Sequence, residues 1–403
     1  MAEFKNDYPL VFVHGFGGWG EADKIESVIN YWGGVSWKNV VKHLRGEGRT
    51  LVMPSVGPFN SVWDRSCEIY AQLTGTTVDY GKAHSEKYGH ARYGKTYEKP
   101  MLPDWGKTPE QAKINLLGHS FGGPTLVMFS SLMSSGAAEE RAVTPPDELS
   151  PLFEGGHGDL IHTVTTLSGV INGTTAASAL GETGMHIAGA AVLMANSALA
   201  NTNAMKWYNF HTQHWGIMGD PDKLTDRHYS SPFGHMDAVK TYNKNHVDHA
   251  GFEMSIETRA EINKKWTVTD PNIYYFCYSA DRTHKSLFHT RQQNLGGFPL
   301  AWLFGILTGS FRSEKLKKEY GFDDSWLCND GFVNVPGQKA PFGQPTVEWQ
   351  PGMPFKPGVW HNMPTVYGDH TYWNGIGQNT MLFFKMYDEW VERFRTLPDG
   401  QDV

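Results

Sequence analysis

KINLLGHSFGGPTLVMFSSLM, residues 113–133, organises the rest of the chain. Ile114 to Gly118 is an apolar run of the length of a buried strand. Gly118-His119-Ser120-Phe121-Gly122 fits G-x-S-x-G, and from Pro124 the chain reads as an apolar helix with proline in its first turn, where a missing N–H costs nothing. Strand, glycine turn and helix are the setting in which a serine stands on a sharp turn with its hydroxyl exposed above a sheet. Small residues two before and two after the serine let the chains cross. The motif alone is weak in a sequence with 44 glycines. Without the flanking elements it would read as an ordinary crossover whose serine caps a helix.

Working outward, Tyr8 to Val13 is an earlier buried strand running into the glycine-rich HGFGGWG, residues 14–20, and Arg49 to Pro54 is a further strand. Ser61 to Leu73 predicts a helix capped by Ser61. Residues 74–112 carry no clear periodicity and read as an irregular insertion. Strands follow at Leu160–Leu167, Asn272–Tyr278 and Pro364–Gly368, and an amphipathic helix closes the chain at Thr380–Phe394. Strands alternating with helices predict an α/β fold with a mostly parallel sheet and helices on both faces. Residues 183–204 (including MHIAGAAVLMANSALA) form an apolar stretch too short to span a bilayer, which suits a buried core helix or a mobile cover over a site; Phe298–Phe311 is a second apolar stretch and reads as exposed.

With 403 residues, 40% hydrophobic and 19% charged, the chain is globular and long enough for a large core with insertions. A net charge of −7 with no basic run excludes nucleic acid as the expected partner. Fourteen tryptophans suit a surface that handles apolar ligands. Three cysteines, Cys67, Cys277 and Cys328, allow one disulfide at most and do not fix the compartment. The first ten residues hold no apolar leader, so the chain is expected to be either cytoplasmic or the remainder after a leader is removed.

A serine hydroxyl needs a histidine base, and that histidine needs a carboxylate to hold its tautomer. In sheets with such an elbow the acid and the histidine follow in that order. His370, in YGDH, is expected just beyond the carboxyl end of a strand, where catalytic groups of such sheets lie, whereas His361 precedes that strand. Asp330 sits in a tight turn among apolar residues, while Asp323 and Asp324 read as solvated. Two backbone N–H groups would complete an oxyanion hole: that of Phe121, after the serine, and that of Phe16, in the first loop.

Several longer stretches resemble the large bacterial lipases of the staphylococcal and thermoalkalophilic Bacillus–Geobacillus type. They are VFVHGFGGWG (11–20), YWGGV (31–35), WDRSCEIYAQLTGTTVDYGKAHSEKYGHARYG (63–94), SPLFEGGH (150–157), WLCNDGFVN (326–334) and YGDH (367–370), and the similarity runs from about residue 8 to 395. The resemblance implies an α/β-hydrolase fold with zinc-binding insertions, at about 60–112 and 205–262, and a helical lid at about 175–204. It implies a secreted enzyme that cleaves triacylglycerols and shorter esters at a lipid–water interface. Ser120, Asp330 and His370 match the triad of these lipases, and Phe16 and Phe121 their oxyanion donors. Phe121 replaces the glutamine or methionine usual after the serine, which is expected to change the wall of the acyl pocket. Asp64, His84 and His90 match three ligands of a structural zinc, and Glu253 falls at the fourth, with Asp248 as the alternative. The calcium of some of these lipases is not expected, because residues 371–378 hold no carboxylate. Two other functions suit the same residues: an esterase or polyester hydrolase with an open cleft, and an inactive fold that binds apolar ligands.

Overall fold

The computed structural model describes residues 5–34, 36–199, 202–217, 247–286, 291–294 and 298–399. Part of the expected insertion at 205–262 and the end of the expected lid therefore lie outside the described residues. Among those described, seven strands form one sheet. In chain order they are β1 (Leu10–Val13), β2 (Leu51–Val52), β3 (Ile114–His119), β4 (Ile161–Leu167), β5 (Tyr274–Tyr278), β6 (Thr346–Glu348) and β7 (Trp360–Asn362). Their spatial order is β6-β7-β5-β4-β3-β1-β2, and every pairing is parallel.

Side chains alternate across the strands, so one run of apolar residues feeds two cores. Val11 and Val13 of β1 with Ile114 and Leu116 of β3 join one core, packed by the helices Val62–Thr74 and Gly122–Ser135. Leu10, Phe12 and Leu117 join the other, under Val40–Gly46 and the carboxy-terminal helix Thr380–Thr396, whose Phe383, Tyr387, Trp390 and Phe394 point inward. Ser61 caps its helix as expected, its hydroxyl accepting the Asp64 N–H at 3.1 Å.

Two expectations change. Residues 74–112 are not wholly irregular: Thr77–Asp79 pairs with Tyr93–Thr96, and a helix spans Lys82–Tyr88. These pieces are too short to show a period in sequence, and the helix start is held from outside by Glu140, whose carboxylate accepts the N–H groups of Ala83 and His84 at 2.9 and 2.8 Å. The strand before His370 is also not in the large sheet. That place belongs to Trp360–Asn362, while Val366–Tyr367 pairs only with Ala280–Asp281.

The crossing of β3, the elbow and its helix is set by contact between main chains. A Cβ on Gly118 would lie 2.5 Å from the Gly122 carbonyl oxygen, and one on Gly122 would lie 2.3 Å from that of Val13. Ser120 takes a left-handed φ of 56° between them, a conformation that costs a non-glycine residue free energy and persists because its surroundings over-determine it. Gly122→Ala should therefore lower unfolding free energy by about 3 kcal/mol, the range of overpacking a tight interior; a urea unfolding curve matching that of the unsubstituted chain would contradict this crossing.

Candidate active site and metal cluster

Asp330 lies at the tip of a turn closed by its own side chain. Its Oδ1 accepts the N–H groups of Phe332 and Val333 at 3.1 and 2.8 Å, and its carbonyl accepts the His370 N–H at 2.8 Å. The free Oδ2 meets His370 Nδ1 at 2.7 Å, and the carboxylate is fully buried. A short bond to a carboxylate puts the imidazole proton on Nδ1 and leaves Nε2 as the basic nitrogen. Asp324, by contrast, is solvated, with a side chain 92% exposed. His361 is equally excluded. It sits in β7 with Nδ1 on the Tyr275 carbonyl at 3.0 Å and Nε2 accepting the Lys356 N–H at 3.2 Å, so both ring nitrogens are used structurally.

His370 faces the elbow. Its ring centroid is 4.8 Å from that of His119, and His119 Nε2 is 3.0 Å from the His370 carbonyl. Ser120 is 9% exposed, and Gly15 presses so closely that a Cβ there would lie 2.6 Å from Ser120 Cβ. Among the described residues no hydrogen bond joins Ser120 Oγ to His370, a looseness common before substrate binds.

The first loop offers one free donor at the expected place. Gly15 N–H is taken by Tyr31 at 2.7 Å, Gly17 N–H by Pro58 at 3.0 Å and Gly18 N–H by Gly15 at 3.1 Å. The N–H groups of Phe16 and Phe121 have no partner among the described residues. The Phe121 side chain differs from expectation. It is fully buried in the core, with the Arg65 guanidinium 5.5 Å above its ring, so it forms no open pocket wall.

A second cluster gathers Asp64, His84, His90 and Asp248, with ligand atoms all within 4.8 Å of one another. His84 Nε2 lies 3.3 Å from Asp64 Oδ1 and 3.1 Å from Asp248 Oδ2. His90 Nδ1 is bonded to the Ala91 carbonyl at 2.9 Å, which places its proton there and turns the lone pair of Nε2 inward. Asp64 Oδ1 and His90 Nε2 are buried without a hydrogen-bond partner. Buried polar atoms are seldom left so, and two nitrogens with two carboxylates suit a tetrahedral divalent ion. The residues fit a metal.

Glu253 does not join them. Its carboxylate accepts the Val62 N–H at 2.7 Å at the start of a helix, and burial pushes its pKa up to about 8. The fourth member of the cluster is the carboxylate of the alternative, Asp248. The sequence also gave no sign of His214, whose Nε2 meets Asp64 Oδ2 at 3.0 Å and leaves Oδ1 for an ion. Such outer partners orient metal ligands, but His214 has no diagnostic spacing from the ligands.

The all-parallel sheet, the left-handed serine after a central strand and the Asp–His pair beyond its carboxyl ends define an α/β-hydrolase-like fold. The model of the family described as lipase-like, C-terminal domain, matches residues 6–401, and the chain belongs to that family. It is 33% identical over 386 residues to Lipase 2 of Staphylococcus aureus (strain MSSA476), an alignment covering 92% of this chain and 51% of the relative. To the lipase of Staphylococcus epidermidis it is 32% identical over 400 residues, covering 98% and 54%. The chain spans about half the length of the curated relatives it matches. Among solved structures it resembles EstA from Clostridium botulinum (TM-score 0.80, 31% identity, 98% of this chain and 89% of that one). It also resembles Staphylococcus hyicus lipase (TM-score 0.79, 28% identity, 98% and 97%).

Metal binding has a direct test. Adding a divalent ion such as zinc to chelator-treated protein should raise the melting temperature, because an ion at a hundred times its Kd stabilises the folded state by about 2.7 kcal/mol. Asp248→Asn should abolish the rise and Glu253→Gln should keep it. The reverse pattern would return the fourth position to Glu253.

Proposed function

We propose that the protein is a carboxylic ester hydrolase of lipase type that works through an acyl-enzyme on Ser120. The observation that carries this is the buried Asp330–His370 pair at 2.7 Å beside a serine held on a left-handed turn. Ser120 Oγ bonds to the ester carbonyl carbon as its proton passes to His370 Nε2. Asp330 holds the tautomer and stabilises the imidazolium. The N–H groups of Phe16 and Phe121 receive the developing oxyanion. The tetrahedral intermediate collapses as His370 returns the proton to the leaving alcohol. Water, deprotonated by the same Nε2, then releases the acid and restores Ser120.

An apolar surface beside this centre favours lipid esters as substrates. Helix Pro299–Thr308 turns Leu300, Trp302, Leu303, Phe304, Ile306 and Leu307 to solvent, with Trp302 45% and Leu303 55% exposed. Phe304 packs at a tilt on Phe332, and Phe332 packs on His370, with ring centroids 5.3 Å apart in both contacts. The helix Thr175–Leu199 lies on another side. Its Met185 and Leu193 are buried, Leu193 against Trp215 and Ile217, while Val192 packs on the Met205–Phe210 cluster, as does Phe59, whose ring is 5.0 Å from that of Phe16. In this reading the helix is a cover. Its buried face accounts for part of its apolar sequence, so the exposed surface is mainly that of Pro299–Thr308. Covering about 300 Å² of such surface at a lipid boundary contributes roughly 7 kcal/mol. The small exposure of Ser120 speaks against a permanently open cleft. No helix among the described residues is long and apolar enough to cross a membrane.

The metal in this reading is zinc. With four protein ligands it would be structural, bracing the segments that carry Asp64, His84, His90 and Asp248 and taking no part in ester cleavage. Secretion, implied by the resemblance, belongs to the same proposal.

Ser120→Ala should lower ester turnover about 10⁵-fold and Asp330→Asn about 10⁴-fold, with melting temperatures little changed. Turnover of a dissolved p-nitrophenyl ester within tenfold of normal in either variant would remove that residue from the mechanism. Leu303→Asp should weaken binding to a triglyceride emulsion and cut hydrolysis there about tenfold, while dissolved short esters are cleaved normally. Equal losses on both substrates would argue against the surface.

A further inference from the structure

Between the first loop and the catalytic histidine runs a chain of hydrogen bonds whose direction is fixed at both ends. Gly15 N–H can only donate, and it donates to Tyr31 Oη at 2.7 Å. The His370 carbonyl can only accept, so His119 Nε2, 3.0 Å away, carries the proton. His119 Nδ1 is then a bare lone pair and accepts the Tyr31 hydroxyl at 2.7 Å. Burial together with the neighbouring His370 keeps the pKa of His119 well below the ordinary value, and with the ring neutral one arrangement of protons satisfies all three bonds.

We propose that Tyr31 and His119 are positioning residues that set the oxyanion loop and the catalytic histidine relative to each other through this one chain. The inference rests on the ester-hydrolase reading above and deepens it. Gly15 stands directly before Phe16 and packs on Ser120, so the bond from its N–H to Tyr31 decides where the Phe16 N–H points. At the other end the chain grips the backbone of His370 itself, whose N–H is held by Asp330. The base and the oxyanion donor come from segments more than 350 residues apart, and the chain is a polar link between them that passes through the residue next to the nucleophile. Tyr31 is held in turn from its own backbone. Glu26 accepts the Tyr31 N–H at 2.8 Å and the Trp19 indole N–H at 2.9 Å. A misplacement of about 1 Å in such a site costs on the order of 100-fold in rate.

The test is a double-mutant cycle on the full chain, read by kcat and KM for a dissolved short p-nitrophenyl ester and by the rate at which a fluorophosphonate labels Ser120. Tyr31→Phe removes one oxygen. His119→Gln keeps a nitrogen near the place of Nε2 and loses the acceptor for Tyr31. Each should lower kcat and the labelling rate about 30-fold and leave KM within about twofold, the mark of a link that matters in the transition state. Because both break the same link, the double variant should be no worse than about threefold below either single one. His119→Asn, which keeps an acceptor near Nδ1 and loses the donor to His370, should also lower kcat. Losses that multiply in the double variant, a rise in KM at unchanged kcat, or an unaffected Tyr31→Phe would overturn the proposal. If His119→Gln fails to fold, the kcat and KM of Tyr31→Phe decide alone. An unlabelled Ser120 in the unsubstituted chain would instead bring down the hydrolase reading itself.

Discussion

The structure depends on how closely three pieces of main chain pass at Ser120. The end of β1, the elbow and the first turn of the next helix meet where a side chain of even one carbon would overlap a carbonyl oxygen. Glycine at 15, 118 and 122 makes that approach possible. The approach in turn holds Ser120 left-handed. The Ser120 N–H is fixed to the β4 end by the Leu167 carbonyl at 2.9 Å, so the turn is braced from the neighbouring strand as well. Strain at one residue is thus carried by the whole centre of the sheet.

A buried charge extends this bracing to the metal cluster. Arg65 has no exposed surface, yet its guanidinium donates to the His14 carbonyl, to the Gly57 carbonyl at 2.9 Å and to Thr125 Oγ1 at 2.9 Å. Those groups belong to the oxyanion loop, the loop before the Val62–Thr74 helix and the elbow helix. Burial lowers its pKa to about 10, so it stays charged at neutral pH. A buried charge is tolerated only when its donors are satisfied, and here the acceptors come from the segments that meet around the Ser120 turn. Asp64, the preceding residue, faces the metal cluster. One helix therefore carries a member of the Asp64–His84–His90–Asp248 cluster and the brace of the His14–Gly20 loop on consecutive residues.

Much of this was legible because it is local. Strand, glycine turn and helix around Ser120 follow one another from Ile114 to Ser135, and the Asp330 turn closes on Phe332 and Val333. What escaped the sequence depends on partners far along the chain. Residues 74–112 read as irregular because their short helix is capped by Glu140, outside the segment. Glu253 and Asp248 are near neighbours in sequence, and only the fold decides that one caps Val62 while the other turns to His84 and His90. The strand at Val366–Tyr367 has a β pattern but pairs outside the large sheet, since its partner Ala280–Asp281 lies beyond the end of β5. The Tyr31–His119 chain had no motif of its own, because each of its bonds joins a residue to one that the sequence does not place beside it.

The acid side of the site is tied to both apolar helices, which gives their arrangement a common origin. Asn334, four residues after Asp330, accepts the Thr175 N–H at 2.8 Å and donates to the Trp326 carbonyl. Thr175 Oγ1 reaches the Thr308 carbonyl at 3.1 Å, and Thr308 Oγ1 reaches that of Gly331 at 3.3 Å. The first turn of Thr175–Leu199 and the last turn of Pro299–Thr308 are thus pinned to the turn that holds Asp330. At its other end Pro299–Thr308 is fixed beside His370, where Asp369 accepts the Phe298 N–H at 2.9 Å. Pro299–Thr308 is thus held at both ends, whereas Thr175–Leu199 is broken at Gly181, where φ is 64°. The Asn334 bonds, and with them the Asp330 turn, are made by the part of Thr175–Leu199 that precedes Gly181. The kink at Gly181 thus separates the turn of this helix that is pinned to the Asp330 loop from the longer apolar part beyond it.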